Sequence, residues 1–340
     1  ESTIFGTEIC LPGRTLPGSG GYQVIASKRQ LRNLLEFLQP DIVEVSDRFT
    51  LIWIGKWAKR QKIKSVVFSH ETLLGLIQRF IPLIPKNMAK LISNWHNRKL
   101  SKSFNYVIAT TEFAAREFKA INCDNLRIIK LGVDLETFNP TNRSDMIHQE
   151  LGKGSEFVLM HSARMSPEKE PQRAIEALRE LINRGYSIRL VMLGCGPMWK
   201  KIKKIARGLP VDTLGYICDR TKLAKYLASA DIIIAPGPLE TFCLSALESL
   251  ASGTPVVASK SSAVGELLEL NSQHPVGSVA ADNGISFAAE IEKILNFPNI
   301  RIRSREVAEQ FNWSTTVDCL LTLYGAKKPM VTTRKRLRVA

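Results

Sequence analysis

Apolar and polar positions along the chain fall into two alternating series. In "LRNLLEFLQPDIVEVSD", Leu31, Leu34, Leu35 and Leu38 recur at helical spacing and stop near Pro40; the apolar run Ile42–Val45 then reads as a strand. A helix around Ile52 to Arg60 precedes the strand "KSVVFSH", "IPKNMAKLISNWHNRKLSKSF" reads as a basic helix, and "NYVIATT" as a further strand. The polar, turn-rich "LGVDLETFNPTNRSD" reads as a linker. A second series opens with strand "EFVLMHSAR" and helix "PQRAIEALRELINRG". Strand "IRLVMLGCGP", a lysine-rich helix and the strands "VDTLGYI" and "ADIIIAPGP" follow. Helix "TFCLSALESLASG" leads to strand "TPVVAS", with Gly253 placed as its C-terminal stop and Pro255 after it. Helices "ISFAAEIEKILNF" and "STTVDCLLTLYG" close the series. Helix–strand alternation predicts an α/β protein with parallel sheets covered on both faces. Two such doubly wound domains in tandem enclose a cleft, and ligands of these folds sit beyond the carboxyl ends of strands.

Composition narrows the class. The 340 residues are 44% hydrophobic and 23% charged, and no apolar run approaches a membrane span. None of the six cysteines forms a CxxC pair, which argues against a zinc site, and scattered single thiols fit a reducing cytoplasm. The chain opens at Glu1 rather than Met, so its natural start is expected upstream. The formal charge of +15 is uneven: Lys56–Lys102 holds eleven Lys/Arg and the single acid Glu71, and Lys327–Ala340 holds six and no acid. Such surfaces attract nucleic acid, anionic lipid or phosphorylated substrates, or simply keep the protein soluble.

Three stretches after strands carry candidate chemistry. In "SARMSPEKEP", Arg164 and Lys169 make a diphosphate clamp, a planar fork beside a point charge. In "LGCGP", Gly194 and Gly196 let backbone approach a ligand before Pro197; no third glycine completes a dinucleotide fingerprint. In "ETFCLSALE", Glu240 and Glu248 stand eight residues apart, about 12 Å of helix. That matches the reach from hexose to ribose across a diphosphate, with the N–H groups of Phe242, Cys243 and Leu244 between and Thr241 in the same donor-facing stretch.

In this order the features resemble the retaining family 4 glycosyltransferases of GT-B fold. The Glu-x7-Glu pattern is "ETFCLSALE", the Arg-x4-Lys clamp "RMSPEK" and the glycine turn "GCGP". "LASGTPVVAS", "LGVDLETFNP", "LQPDIVEVSD", "SVVFSHE" and "FNWSTTVDCLLTLY" extend the likeness over nearly the whole chain, nearest to mannosyl- or glucosyltransferases acting on lipids or polysaccharides. The resemblance implies two Rossmann-like domains: an acceptor-side domain over residues 1–135 and a nucleotide-sugar domain over 136–310. It also implies a closing helix over 311–326 that packs back on the first, ahead of a basic tail over 327–340. Arg164 and Lys169 would neutralise the leaving diphosphate, Glu248 hold the ribose, Glu240 the sugar hydroxyls, and His70 the 6-hydroxyl. His96, His148, His161 and His274 match nothing catalytic. The donor, GDP- or UDP-linked, is a substrate; no cofactor or metal is implied, since no Asp-x-Asp motif occurs.

The chain departs from the pattern at Cys243, where the family usually has glycine, and at Cys195, often an acid. Only about a dozen residues precede "LPGRTLPGSGGYQV", so the opening βαβ portion is expected to be absent, the first domain incomplete and the acceptor half damaged. The Gly18–Gly21 run then reads as a surface loop. A non-catalytic remnant that binds donor or a partner protein is one alternative. A basic nucleic-acid-binding protein is another, although no nucleic-acid module or aromatic stacking array is present and no specific nucleic acid is expected. Leu91, Ile92 and Trp95 among Lys86, Lys90, Arg98 and Lys99 have the pattern of a peripheral membrane contact, with packing of that stripe on its own domain the favoured reading. The expected location is cytoplasmic, with the inner membrane face as the site of any such contact.

Overall fold

The computed structural model describes residues 2–3, 6–15, 23–269, 275–297 and 299–326. Its first domain opens with two short antiparallel hairpins, β1 (Ser2–Thr3) with β2 (Gly6–Thr7) and β3 (Gly13–Thr15) with β4 (Gln23–Ile25). Helix α1 (Lys28–Leu38) follows, capped by the Ser27 hydroxyl. Strands β5 (Ile42–Val45), β6 (Lys64–Ser69), β7 (Tyr106–Ala109) and β8 (Leu126–Ile128) then form a parallel sheet in sequential order. Between them run α2 (Ile52–Arg60), α3 (Leu73–Phe80), α4 (Lys86–Ser103) and α5 (Glu112–Lys119).

The expectation of an incomplete first domain is corrected here. Strands precede α1, and Leu11 and Ile25 from those opening segments pack against a buried core of Val43, Val45, Trp57, Val67, Leu100 and Phe118. Strands β3 and β4 flank the glycine-rich stretch as a hairpin. The Gly18–Gly21 run itself lies outside the described residues, as do His274 and the basic tail.

The second domain begins with α6 (Asp145–Gly152) and alternates β9 (Phe157–Ser162), α7 (Gln172–Asn183), β10 (Ile188–Leu193), α8 (Trp199–Ile205), β11 (Val211–Gly215), α9 (Arg220–Ser229) and β12 (Ile232–Ala235). It continues through α10 (Leu244–Ala251), β13 (Val256–Ser259), α11 (Val264–Leu268), β14 (Gly277–Ala280), α12 (Gly284–Leu295) and α13 (Ile300–Ala308). Its six parallel strands run β11-β10-β9-β12-β13-β14, so the strand order reverses beside β9. Both faces are covered, by clusters built around Leu247 and Val256 and around Leu178 and Phe287. That coverage explains why these strands read as continuous apolar runs rather than alternating ones.

Helix α14 (Trp313–Tyr324) crosses back to the first sheet. Leu320, Leu323 and Tyr324 pack on Val66, Phe68, Ile108 and Ile129, and Lys64 Nζ donates to the Tyr324 carbonyl at 2.8 Å.

Candidate donor site

The candidate residues converge at the carboxyl edge of the second sheet, beside its switch point. The loops after β9, β10 and β12 meet there, and glycines decide how closely. A Cβ on Gly194, at φ +105°, would lie 2.2 Å from the Ala163 carbonyl oxygen; one on Gly196 would lie 2.4 Å from that of Met165. These glycines therefore let the Arg164 loop seat against the 194–197 turn, where Met165 N–H donates to the Cys195 carbonyl at 3.0 Å. The sequence reading gave that freedom to a ligand; in the fold the neighbouring protein loop uses it. Pro197 lies in the same turn, ahead of α8.

Lys169 and Glu240, 71 residues apart, form an ion pair with Nζ···Oε1 2.6 Å. Burial, the largest single influence, acts to lower the Lys169 pKa, but the charge and hydrogen bond of Glu240 together with Cys243 and Glu168 outweigh it, and the net shift is upward. Arg164 is exposed, and its guanidinium makes no hydrogen bond or ion pair among the described residues. A fixed cation and a free one thus flank the loop.

Helix α10 starts later than its apolar pattern suggested, at Leu244, because Cys243 takes a left-handed conformation at φ +69°. Glu240 consequently sits in the loop before the helix, and Glu248 lies four residues into α10, about 6 Å of rise and one turn rather than two. Among the described residues no side chain caps the α10 N-terminus; the Ala246 and Leu247 N–H groups turn back to the Cys243 carbonyl, so the Leu244 and Ser245 N–H groups and the positive end of the dipole stay available to an anion. Phe242 and Cys243 are buried, Leu244 exposed, and burial pushes the Cys243 thiol up to about 12. The left-handed φ gives a physical reason for the glycine usual at this place. We expect Cys243→Gly to be more stable than Cys243→Ala by about 1 kcal/mol in chemical denaturation, since both lose the thiol and only alanine keeps the backbone penalty.

Glu248 meets Arg220 Nη2 at 3.4 Å, a contact invisible in the sequence. Burial raises the Glu248 pKa and Arg220 opposes the rise. Arg220 in turn lies over the Phe138 ring, 5.0 Å from its centroid.

Thr241 is placed differently from the expectation. It is buried between the domains, its hydroxyl donating to the His70 carbonyl and its own carbonyl accepting from Thr111 Oγ1 at 2.7 Å. His70 follows β6, its ring stacked on Phe68 with centroids 5.6 Å apart, and burial of part of the ring lowers its pKa. The domains are joined twice more. Glu266 accepts from the N–H groups of Glu112 and Phe113 at the start of α5, at 2.9 and 2.5 Å, and Arg79 pairs with Glu170 at 2.8 Å.

Sequence reasoning also missed Arg48, wholly buried under the His70 loop. Its guanidinium donates to Ser69 Oγ at 2.6 Å, to the Glu71 carbonyl at 2.7 Å and to Asn97, and lies 3.9 Å from Glu117. Burial lowers its pKa against the pull of Glu117 and Glu71. Among the described residues no three His, Cys, Asp or Glu side chains group as metal ligands.

Comparison with known proteins agrees with this geometry. The model of the glycosyl transferases group 1 matches residues 143–311, and that of glycosyltransferase family 4 matches residues 8–137. The second match takes in the β3–β4 hairpin and the whole first sheet, which overturns the expectation of an incomplete first domain. The chain is 38% identical over 94% of its length, and 82% of the relative's, to a GDP-mannose-dependent alpha-(1-6)-phosphatidylinositol dimannoside mannosyltransferase of Mycobacterium tuberculosis. Its fold is shared with sucrose-phosphate synthase from Thermosynechococcus elongatus (TM-score 0.71, 18% identity, 91% of this chain and 82% of that one). Anabaena HepE in complex with UDP and glucose shares it too (TM-score 0.70, 16% identity, 89% and 84%).

Proposed function

The chain belongs to the family 4 glycosyltransferases, and from that premise we propose how its own residues perform the transfer. It is a hexosyltransferase that takes a nucleotide-sugar donor and passes the sugar to a lipid or saccharide acceptor. The finer reading is GDP-mannose as donor and a phosphoinositide-type glycolipid as acceptor, supported by the mannosyltransferase relative.

The observation that carries the mechanism is the Lys169–Glu240 pair beside the uncapped start of α10. The donor diphosphate lies between Arg164, Lys169 and the N–H groups from Phe242 to Leu244. Glu248 accepts from the ribose hydroxyls once they displace its long contact with Arg220. Glu240 accepts from a sugar hydroxyl while keeping Lys169 aimed at the phosphate, and His70 faces the sugar from the first domain. As the bond from the anomeric carbon to the phosphate oxygen breaks, negative charge grows on the diphosphate, where both cations and the helix dipole stabilise it. The acceptor oxygen bonds to the anomeric carbon on the departing face. Its proton passes to the leaving phosphate oxygen, so configuration is retained without a separate base.

Thermal-shift measurements with GDP, UDP, ADP and their sugars, run on the wild type and on Glu248→Ala, test the reading. A nucleotide at about 100 times its dissociation constant stabilises by about 2.7 kcal/mol. GDP and GDP-mannose are expected to shift the wild type by this much and the variant far less. A shift by UDP compounds alone would reassign the donor, and equal shifts in both proteins would remove Glu248 from the ribose.

A further inference from the structure

Helix α4 buries Ala89, Ser93, Asn97 and Leu100 against its own domain. Met88, Leu91, Ile92 and Trp95, at helical spacing i, i+3, i+4 and i+7, point the other way; Leu91 is 72% and Trp95 62% exposed. The end of α3 adds exposed Phe80, and the turn before α4 adds Leu83, 94% exposed. The stripe expected to pack inward is thus the solvent face, and the buried face is made of Ala89, Ser93, Asn97, Leu100 and Ser103.

The charge around it has one sign. No acid occurs between Glu71 and Glu112, while Arg79, Lys86, Lys90, Arg98, Lys99 and Lys102 lie in that span. Lys86, Lys90, Arg98 and Lys99 are exposed on α4, Lys99 lies 5.1 Å from the Trp95 ring centroid, and Lys59 of α2 reaches the Lys102 carbonyl at 2.6 Å, extending the basic field. A cationic rim around an apolar stripe complements an anionic bilayer: the stripe enters the acyl boundary while the long basic side chains reach the headgroups.

We propose that the α3–α4 face docks the protein on an anionic lipid surface. The proposal stands on exposure and charge, and its test uses neither donor nor acceptor. The test is co-sedimentation of the full chain with vesicles of phosphatidylcholine, with and without phosphatidylglycerol, at low and high salt. Binding is expected only with phosphatidylglycerol and is expected to weaken with salt. Leu91→Ser with Trp95→Ser should lower the partition coefficient about tenfold or more, and each Lys→Gln on α4 about fivefold, with melting temperature unchanged because these side chains are exposed. Failure to pellet with either vesicle, or equal pelleting of the variants, would overturn the proposal. So would a dimer that these substitutions dissolve without any vesicle binding, which would make the face a contact between copies.

Discussion

Replacing Lys169 with alanine is expected to lower the transfer rate by about 10²–10³-fold, roughly 3–4 kcal/mol of transition-state stabilisation. The charge it would meet develops only as the diphosphate leaves, so the loss should fall on kcat more than on KM. Its position strengthens the expectation. The ammonium is held at 2.6 Å by a carboxylate that is itself mostly shielded from water, so it is aimed before the donor arrives. Alanine also leaves Glu240 without its cation, which adds a repulsive charge beside the phosphates. Lys169→Arg retains the charge and should recover part of the rate. Steady-state transfer from labelled donor, with melting curves to confirm folding, measures both variants. A loss below tenfold in the alanine variant would take Lys169 out of the leaving-group role.

The second large effect is on stability. Arg48→Ala is expected to destabilise the first domain by about 3 kcal/mol, the lower end of the cost of breaking a buried ion pair. The lower end applies because Glu117 keeps the N–H groups of Leu73 and Leu74, at 3.0 and 2.6 Å, after the arginine is gone. Asn97 and Ser69 lose a charged donor, and the Glu71 carbonyl loses its anchor. Urea unfolding followed by tryptophan fluorescence reads the change in the first transition, since Trp53 and Trp57 pack in or against this core. A midpoint equal to that of the wild type would show the hub to be energetically neutral. Because the anchored segment carries His70, the variant should also bind donor more weakly than its remaining fold would suggest.

Much of this architecture is legible in residue order. Strands β5, β9, β10, β12 and β13 are apolar runs bounded by turn residues; β5 falls on its predicted limits and β9 and β13 within two residues of theirs, while β10 and β12 end before the glycine–proline turns that the sequence reading included in them. Lys169 and Glu240 stand out in the sequence separately, one in the Arg-x4-Lys clamp and the other in the Glu-x7-Glu pattern, and only the fold shows that they meet. The rest depended on information that local patterns do not carry. The start of α10 was misplaced because the left-handed turn at Cys243 interrupts an otherwise helical apolar pattern, and a cysteine gives no sign of positive φ. Thr241 looked like part of the donor loop, yet its partners lie 130 and 171 residues away. Arg48 sits in a charged segment where one more arginine is unremarked, and its burial depends on Asn97 and Glu117 arriving from α4 and α5. The outward face of α4 escaped for the opposite reason: an apolar stripe at helical spacing says which residues share a side, not which side meets the core.

The Thr241 contact has a mechanical meaning. Its hydroxyl and carbonyl fasten the loop bearing Glu240 to the ends of β6 and β7, while Glu266 supplies the first turn of α5 from across the interface. Spreading the domains would take Glu266 from the first turn of α5, leaving only its own Thr111 cap, and would release Thr241 at the same time, so opening is expected to go as a latch with a threshold rather than as a freely swinging hinge.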